Sequence, residues 1–180
     1  MLQPFPFPYQ TITLYPMVDQ TIRIIYGKDA KAMAKALLDS YGLSDAIRGK
    51  ESFVLKPNLV NPTRPENGAT THTGILEAVI EYLQAEGKKD ITIAESSWVG
   101  ASTEEAFSVN GYRKLADRYG IRLLDIKKDR FRTLSYDGIS MEISETILSS
   151  DYLINLPVLK GHCQTRITSA MKNLKGCISD

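Results

Sequence analysis

Short runs of β-branched and aromatic residues alternate with stretches of helical periodicity along most of this chain. Five runs are typical of strands: 21–26, 52–55, 91–94, 122–126 and 152–156. Between them, apolar residues recur at i, i+3 and i+4 spacing, as at Leu76, Val79, Ile80 and Leu83. Because parallel strands need a long crossover connection, this alternation is typical of βαβ units. It predicts a three-layer α/β fold, with a largely parallel sheet flanked by helices.

Local signals refine that layout. Ser102 and Glu105 have the spacing of a capping box, which predicts the start of a helix that Asn110-Gly111 then breaks. Asp137-Gly138, between alternating residues, predicts a β-hairpin.

The 180 residues are enough for one domain with its own core, so we expect a single α/β domain. Residues 1–20 contain Pro4, Pro6 and Pro8 and are predicted to form an extended arm. This arm has neither the basic region nor the apolar core of a secretory signal. No stretch approaches the ~18 apolar residues that a membrane span needs. We therefore expect a cytoplasmic protein that makes no membrane contact.

The charges are nearly balanced, with 22 Lys and Arg against 21 Asp and Glu. A broadly basic nucleic-acid-binding surface is therefore not expected. The two cysteines, Cys163 and Cys177, are too few for a disulfide scaffold and form no CxxC pair.

Polar side chains follow three of the predicted strands, at the point where each strand ends. These are Lys56 and Asn58, Glu95 and Ser96, and His162 and Cys163. Ligands of open α/β sheets gather beyond the carboxyl ends of the strands, so we expect these residues along one rim. Signatures of P-loop, dinucleotide-binding, zincin and α/β-hydrolase proteins are absent from the sequence.

The C-terminal segment is basic, because no acidic residue lies between Asp151 and Asp180. Helical periodicity predicts a helix over 164–175, with Lys172 and Lys175 on its polar face. Such a face is either an ordinary solvated surface or a receptor for a small anionic ligand.

In the second case each residue of the rim has a role. Lys56, Lys172 and Lys175 would hold the anion, and Asn58 and Ser96 would orient it. His162 or Glu95 would move protons. Glu95 has an alternative role as the partner of Lys56 or Lys172 in a structural salt bridge.

Several segments together resemble a known prokaryotic family, the domain of unknown function 362. They are VLKPNLV (54–60), ATTH (69–72), IAESS (93–97), LPVLKGHCQT (156–165) and MKNLKG (171–176). The resemblance covers 53–180. It implies association with ferredoxin-like modules that carry four-iron four-sulfur clusters; here the cluster would come from a ferredoxin-like partner. Family domains usually continue past the last motif, so we expect this domain to be truncated at its C-terminus.

A more distant similarity links the chain to the N-terminal domain of nickel-pincer lactate racemase. In that domain a catalytic His precedes the cofactor-bearing Lys by ten positions, as His162 precedes Lys172 here. The similarity implies that Lys172 carries a nickel cofactor, for which its amine would have to be nucleophilic.

Three functions remain open on the sequence. The first is an enzyme domain that binds a small anionic substrate or cofactor. The second is a binding or maturation module in which His162 and Cys163 contact nickel, iron or zinc, or a partner's iron–sulfur cluster. The third is a structural or regulatory module without catalysis, which would form a homodimer to cover a sheet edge.

Overall fold

The computed structural model describes residues 22–179. The helices are α1 (Ala30–Tyr41), α2 (Leu43–Ala46), α3 (Thr73–Ala85), α4 (Thr103–Val109), α5 (Tyr112–Tyr119), α6 (Glu145–Ser149) and α7 (Ala170–Asn173). The strands are β1 (Ser52–Lys56), β2 (Asp90–Glu95), β3 (Arg122–Asp125), β4 (Phe131–Tyr136), β5 (Ile139–Ser144), β6 (Tyr152–Asn155), β7 (Lys160–His162) and β8 (Arg166–Thr168). The predicted arm, residues 1–20, lies outside the described residues.

The central sheet has four parallel strands in the order β3-β2-β1-β6. Phe53 of β1 is in register with Ile91 of β2 on one side and with Tyr152 of β6 on the other. All four strands therefore end at the same edge. The predicted α/β fold with a parallel sheet is confirmed.

Each face of the sheet carries its own buried cluster. On one face Phe53 and Ile93 belong to a core that includes Leu76 of α3 and Phe107 of α4. On the other face Val54 and its neighbours pack against side chains that include Phe131 of β4 and Ile147 of α6. Helices thus flank the sheet on both sides, which gives the predicted three layers.

The local signals of the sequence have the predicted effects. The hydroxyl of Ser102 accepts a hydrogen bond from the N–H of Glu105 at 3.2 Å, which caps α4. Gly111 separates α4 from α5. Asp137 and Gly138 both have positive φ, 48° and 76°, in the turn between β4 and β5.

The predicted strand over 21–26 is wrong for the residues that the structure describes. Ile22–Tyr26 have no strand partner among residues 22–179, and Ile22, Ile24 and Tyr26 are exposed. Strand propensity reflects packing on a sheet, so a β-branched run without a neighbouring strand does not form one.

The predicted helix over 164–175 is also wrong. This segment instead completes an antiparallel hairpin, β7–β8, in which Lys160 is opposite Thr168, and only then forms the short helix α7. Arg166 has a φ of 63°, which a right-handed helix does not allow. Lys172 and Lys175 therefore do not share the face of one long helix.

Within residues 22–179, no helix has the length and apolar character that crossing a bilayer requires.

Candidate functional site

A cavity of about 460 Å³ lies where chain segments following β1 and β2 meet the C-terminal hairpin and α7. Its lining residues are 58–60, 95–99, 162–164, Thr168, 172–173 and 175–176. The parallel register explains this meeting, because the carboxyl ends of adjacent strands lie side by side.

Most of the sequence-predicted site residues line this one cavity. They are Asn58, Glu95, Ser96, His162, Cys163, Lys172 and Lys175. Lys56 is not among the lining residues.

Lys56 is fully buried, and its ammonium donates to Oε1 of Glu95 and to the carbonyl of Pro57. Glu95 also accepts hydrogen bonds from the N–H groups of Leu59 at 2.9 Å and Ser96 at 2.8 Å. Burial raises the pKa of the Glu95 carboxyl, and the Lys56 ammonium and these N–H groups oppose that shift. Of the two roles that the sequence left open for Glu95, the structure forms the salt bridge with Lys56.

The segment 171–176 is attached to the strand ends through Asn173. The buried Asn173 side-chain amide donates to the carbonyls of Lys56 at 3.2 Å and Pro57 at 3.1 Å, and to Oδ1 of Asn155 at 2.7 Å. Sequence reasoning weighed the lysines of this segment and missed Asn173. Its position inside the 171–176 motif, next to Lys172, was the signal that could have found it.

Gly176 lies directly against the ion pair. A Cβ atom on Gly176 would lie 2.8 Å from Oε1 of Glu95 and 3.0 Å from Nζ of Lys56. The Gly176 carbonyl also accepts a hydrogen bond from the hydroxyl of Ser96 at 3.2 Å. Glycine is therefore needed here for close packing over the buried charges.

Two buried polar atoms beside the cavity have no hydrogen-bond partner in the part of the chain that the structure describes. They are Oδ1 of Asn58 and the hydroxyl oxygen of Thr168, whose residues are 6% and 3% exposed. Buried polar groups are nearly always paired, because leaving one unpaired costs free energy. A bound ligand is one source of the missing partners.

The described residues that line the cavity carry more positive than negative charge. They include Lys172 and Lys175, and the one acidic residue among them, Glu95, is paired with Lys56. Nearby Lys160 donates to the carbonyl of Ala69. Burial lowers the pKa of Lys160; the Glu95 carboxylate opposes that shift, and the Lys172 charge adds to it.

His162 is held by its own turn. Its Nδ1 accepts hydrogen bonds from the N–H groups of Gln164 at 3.1 Å and Thr165 at 3.3 Å. In the neutral imidazole the proton is therefore on Nε2, which is the atom able to donate to a ligand. The neighbouring Cys163 is exposed.

A metal site is not complete within the described part of the chain. No group of three His, Cys, Asp or Glu side chains there could hold a metal ion. His162 and Cys163 are two donors, and protein metal sites of this chemistry use three or four. The residues present do not fit a resident metal without donors from elsewhere.

Comparison with known proteins places these segments in a family. The thylakoid-associated protein sll1697 of Synechocystis sp. is 30% identical over 148 residues, which are 82% of this chain and 46% of that protein. The chain thus spans about half the length of the curated relative it matches. The predicted cytoplasmic location, iron–sulfur partner and racemase similarity stay predictions. A family model described as "Domain of unknown function (DUF362)" matches residues 54–180. Because this match covers most of the chain, the protein belongs to the domain of unknown function 362 family.

Proposed function

We propose that this chain is an enzyme domain that binds a small anionic substrate or cofactor in the cavity at the carboxyl ends of the sheet strands. The observation that carries the proposal is the pair of unpartnered buried atoms, Asn58 Oδ1 and Thr168 Oγ1, in a cavity lined by lysines. A ligand that has an acidic group, which accepts from the Thr168 hydroxyl, and a hydroxyl or amine group, which donates to Oδ1 of Asn58, would satisfy both atoms.

In this proposal the lysines supply the charge and the neutral side chains supply the orientation. Lys172 and Lys175 attract the anion, the Thr168 hydroxyl donates to it, and the oxygens of Asn58 and Ser96 accept from hydroxyl or amine groups of the ligand. Charge-assisted hydrogen bonds of this kind are stronger than those between neutral groups.

The buried ion pair has an indirect role. An unpaired Glu95 carboxylate about 4 Å from a bound anion would repel it by about 4 kcal/mol at an effective dielectric constant of about 20. Lys56 neutralises that charge from the buried side. The sequence led us to expect that Lys56 contacts the anion directly. In this proposal Lys56 instead neutralises the Glu95 carboxylate.

Proton transfer is assigned to His162. It lines the cavity, and its backbone hydrogen bonds hold the imidazole in one tautomer. An imidazole placed against a ligand can act as a general acid or base.

The test is isothermal titration of the protein with inorganic phosphate and with acetate at low ionic strength. Lys172→Ala should weaken the binding of the anion at least tenfold without changing thermal stability. Lys114→Ala, which removes an exposed lysine of α5, is the matched control and should bind as the wild type does. Unchanged affinity in Lys172→Ala would contradict the proposal.

The catalytic part needs a separate variant. The small anions that bind are first screened for one that the wild-type protein converts to a product. The His162→Gln variant should still bind that anion but should no longer convert it. Full turnover by His162→Gln would remove His162 from the mechanism.

A second candidate function is a metal- or iron–sulfur-associated module that works with a ferredoxin-like partner. It is supported by the position of two adjacent soft donors, His162 and Cys163, on the cavity wall. Elemental analysis of anaerobically purified protein tests it. Near-stoichiometric nickel, iron or zinc that Cys163→Ser loses would favour this candidate, and equal metal content in both proteins would contradict it.

A further inference from the structure

We infer that the anion bound in the cavity carries a flat apolar group, such as an aromatic ring, that packs against Trp98. This inference rests on the proposed anion site and names the chemical class of its ligand. It follows from the asymmetry of the cavity walls, from the way the Trp98 loop is held, and from the contact of the indole with Gly100.

The cavity has one apolar wall. Leu59, Val60, Trp98 and Val99 line it, whereas His162, Lys172 and Lys175 contribute polar groups. Trp98 and Val99 are each 65% exposed. A large exposed aromatic side chain beside a cavity is a surface that a ligand can cover.

The backbone around Trp98 is fixed by hydrogen bonds. The Trp98 N–H donates to the carbonyl of Val60 at 2.9 Å, and the Ala101 N–H donates to the carbonyl of Trp98 at 2.8 Å. The ammonium of Lys127 donates to the carbonyls of Trp98 and Ala101, each at 3.1 Å. The exposed indole is thus carried on a turn whose backbone is already ordered, so that little backbone entropy is lost when a ligand packs on it.

Gly100 supports the indole ring. A Cβ atom on Gly100 would lie 2.2 Å from Cζ3 and 2.4 Å from Cη2 of Trp98, far inside contact distance. Only glycine lets the ring pack this closely on the backbone. Gly100 therefore sets the position of the ring that the cavity presents.

The size of the cavity agrees with an organic anion. Small-molecule pockets are commonly about 300–1,000 Å³, and this cavity of about 460 Å³ is larger than one inorganic anion needs. A ligand that places its acidic group near Lys172 and an aromatic ring at Trp98 would use both walls.

The experiment compares two matched pairs of probes: inorganic phosphate with phenyl phosphate, and acetate with benzoate. Trp98 is the single tryptophan of the chain, so its fluorescence reports directly on this wall. We expect the aromatic member of at least one pair to bind at least tenfold more tightly than its partner and to change the Trp98 emission.

Variants then assign the effect to the ring. By calorimetry, Trp98→Ala and Gly100→Ala should each lose most of the advantage of the aromatic probe, with the affinity for the small anion unchanged. Trp98→Phe, which keeps a flat ring, should retain most of it.

The outcomes separate this inference from the proposed function. If small and aromatic anions bind equally, and Trp98→Ala changes neither affinity, the inference is overturned and the anion site stands. If none of the four probes binds, both are overturned.

Discussion

Lys56 and Glu95, the last residues of β1 and β2, form an ion pair that is almost completely removed from solvent, with side chains 0% and 2% exposed. Burying two charges costs several kcal/mol per ion, which their attraction and further hydrogen bonds must offset. Pro57, Leu59 and Ser96 supply those hydrogen bonds from the backbone. Removing either charge would therefore leave the other buried without a countercharge.

Lys56→Met should destabilise the protein strongly, because it leaves the Glu95 carboxyl buried without its countercharge. We expect a loss of about 3–5 kcal/mol in the free energy of unfolding, measured by urea denaturation at neutral pH. The double variant Lys56→Met/Glu95→Gln removes both charges and should recover a large part of that loss. A single variant as stable as the wild type would contradict the buried position of the pair.

Gly176→Ala should strain the same pair. The added methyl group would lie 2.8 Å from Oε1 of Glu95 and 3.0 Å from Nζ of Lys56, so that one of these buried, hydrogen-bonded groups would have to shift. Overpacking of this kind costs about 1–3 kcal/mol. Gly161→Ala is the control, since no described residue other than its two chain neighbours has an atom within 4 Å of the added Cβ. Equal stability of the two variants in urea would show that Gly176 is not closely packed.

Thr168→Val should weaken the binding of the anion without destabilising the ligand-free protein. The Thr168 hydroxyl is buried and unpaired, so its replacement by a methyl group should leave the stability of the ligand-free protein unchanged or raise it. Anion affinity, measured by calorimetry, should fall. The control is Thr71→Val, because the Thr71 hydroxyl donates to Leu156 at 2.7 Å and accepts from Asn58 at 2.9 Å. We expect this control to lose about 1–3 kcal/mol. A Thr168→Val protein with unchanged affinity would exclude Thr168 from the site.

Asp151 should make the free energy of unfolding depend on pH in the acidic range. Its carboxylate accepts hydrogen bonds from the N–H groups of Glu51 and Ser52, and these lower its pKa from the ordinary value of 3.8. A carboxyl group with a lowered pKa in the folded state stabilises above its unfolded pKa, and this contribution is lost as pH falls through the folded value. The stability difference between wild type and Asp151→Ala, measured by urea titrations, should therefore be constant well above pH 3.8 and shrink as the pH falls below 3.8 through the lowered pKa. A difference that stays constant below pH 3.8 would contradict the assignment.

Local chemistry in the sequence was sufficient to predict the parallel sheet and several of the helix ends and turns. The Ser102 hydroxyl caps α4 by accepting from the N–H of Glu105, three residues later, and Asp137-Gly138 forms the turn between β4 and β5. Both features could be predicted because each involves residues that are close together in the chain. The strand–helix alternation predicted a parallel sheet. Because the strands are parallel, Asn58, Ser96 and the C-terminal segment were expected to meet at the carboxyl end of the sheet.

The failures occurred where the outcome depends on distant partners. Residues 22–26 have the composition of a strand, but no strand of the described part of the chain lies beside them. Residues 164–175 have helical periodicity, yet Arg166–Thr168 pair with Lys160–His162 in a hairpin. Propensity is a weak bias that tertiary pairing overrides.

The sequence by itself determined which residues reach the carboxyl end of the sheet, because strand direction and strand ends follow from local patterns. Only the tertiary structure decided what each of them does there. Lys56 could have faced a ligand, but it forms an ion pair with Glu95, 39 residues away in the chain. Gly176, from the C-terminal segment, packs against both side chains. Whether a charge is available to a ligand depends on burial and on the nearest countercharge, and both are set when distant segments pack together.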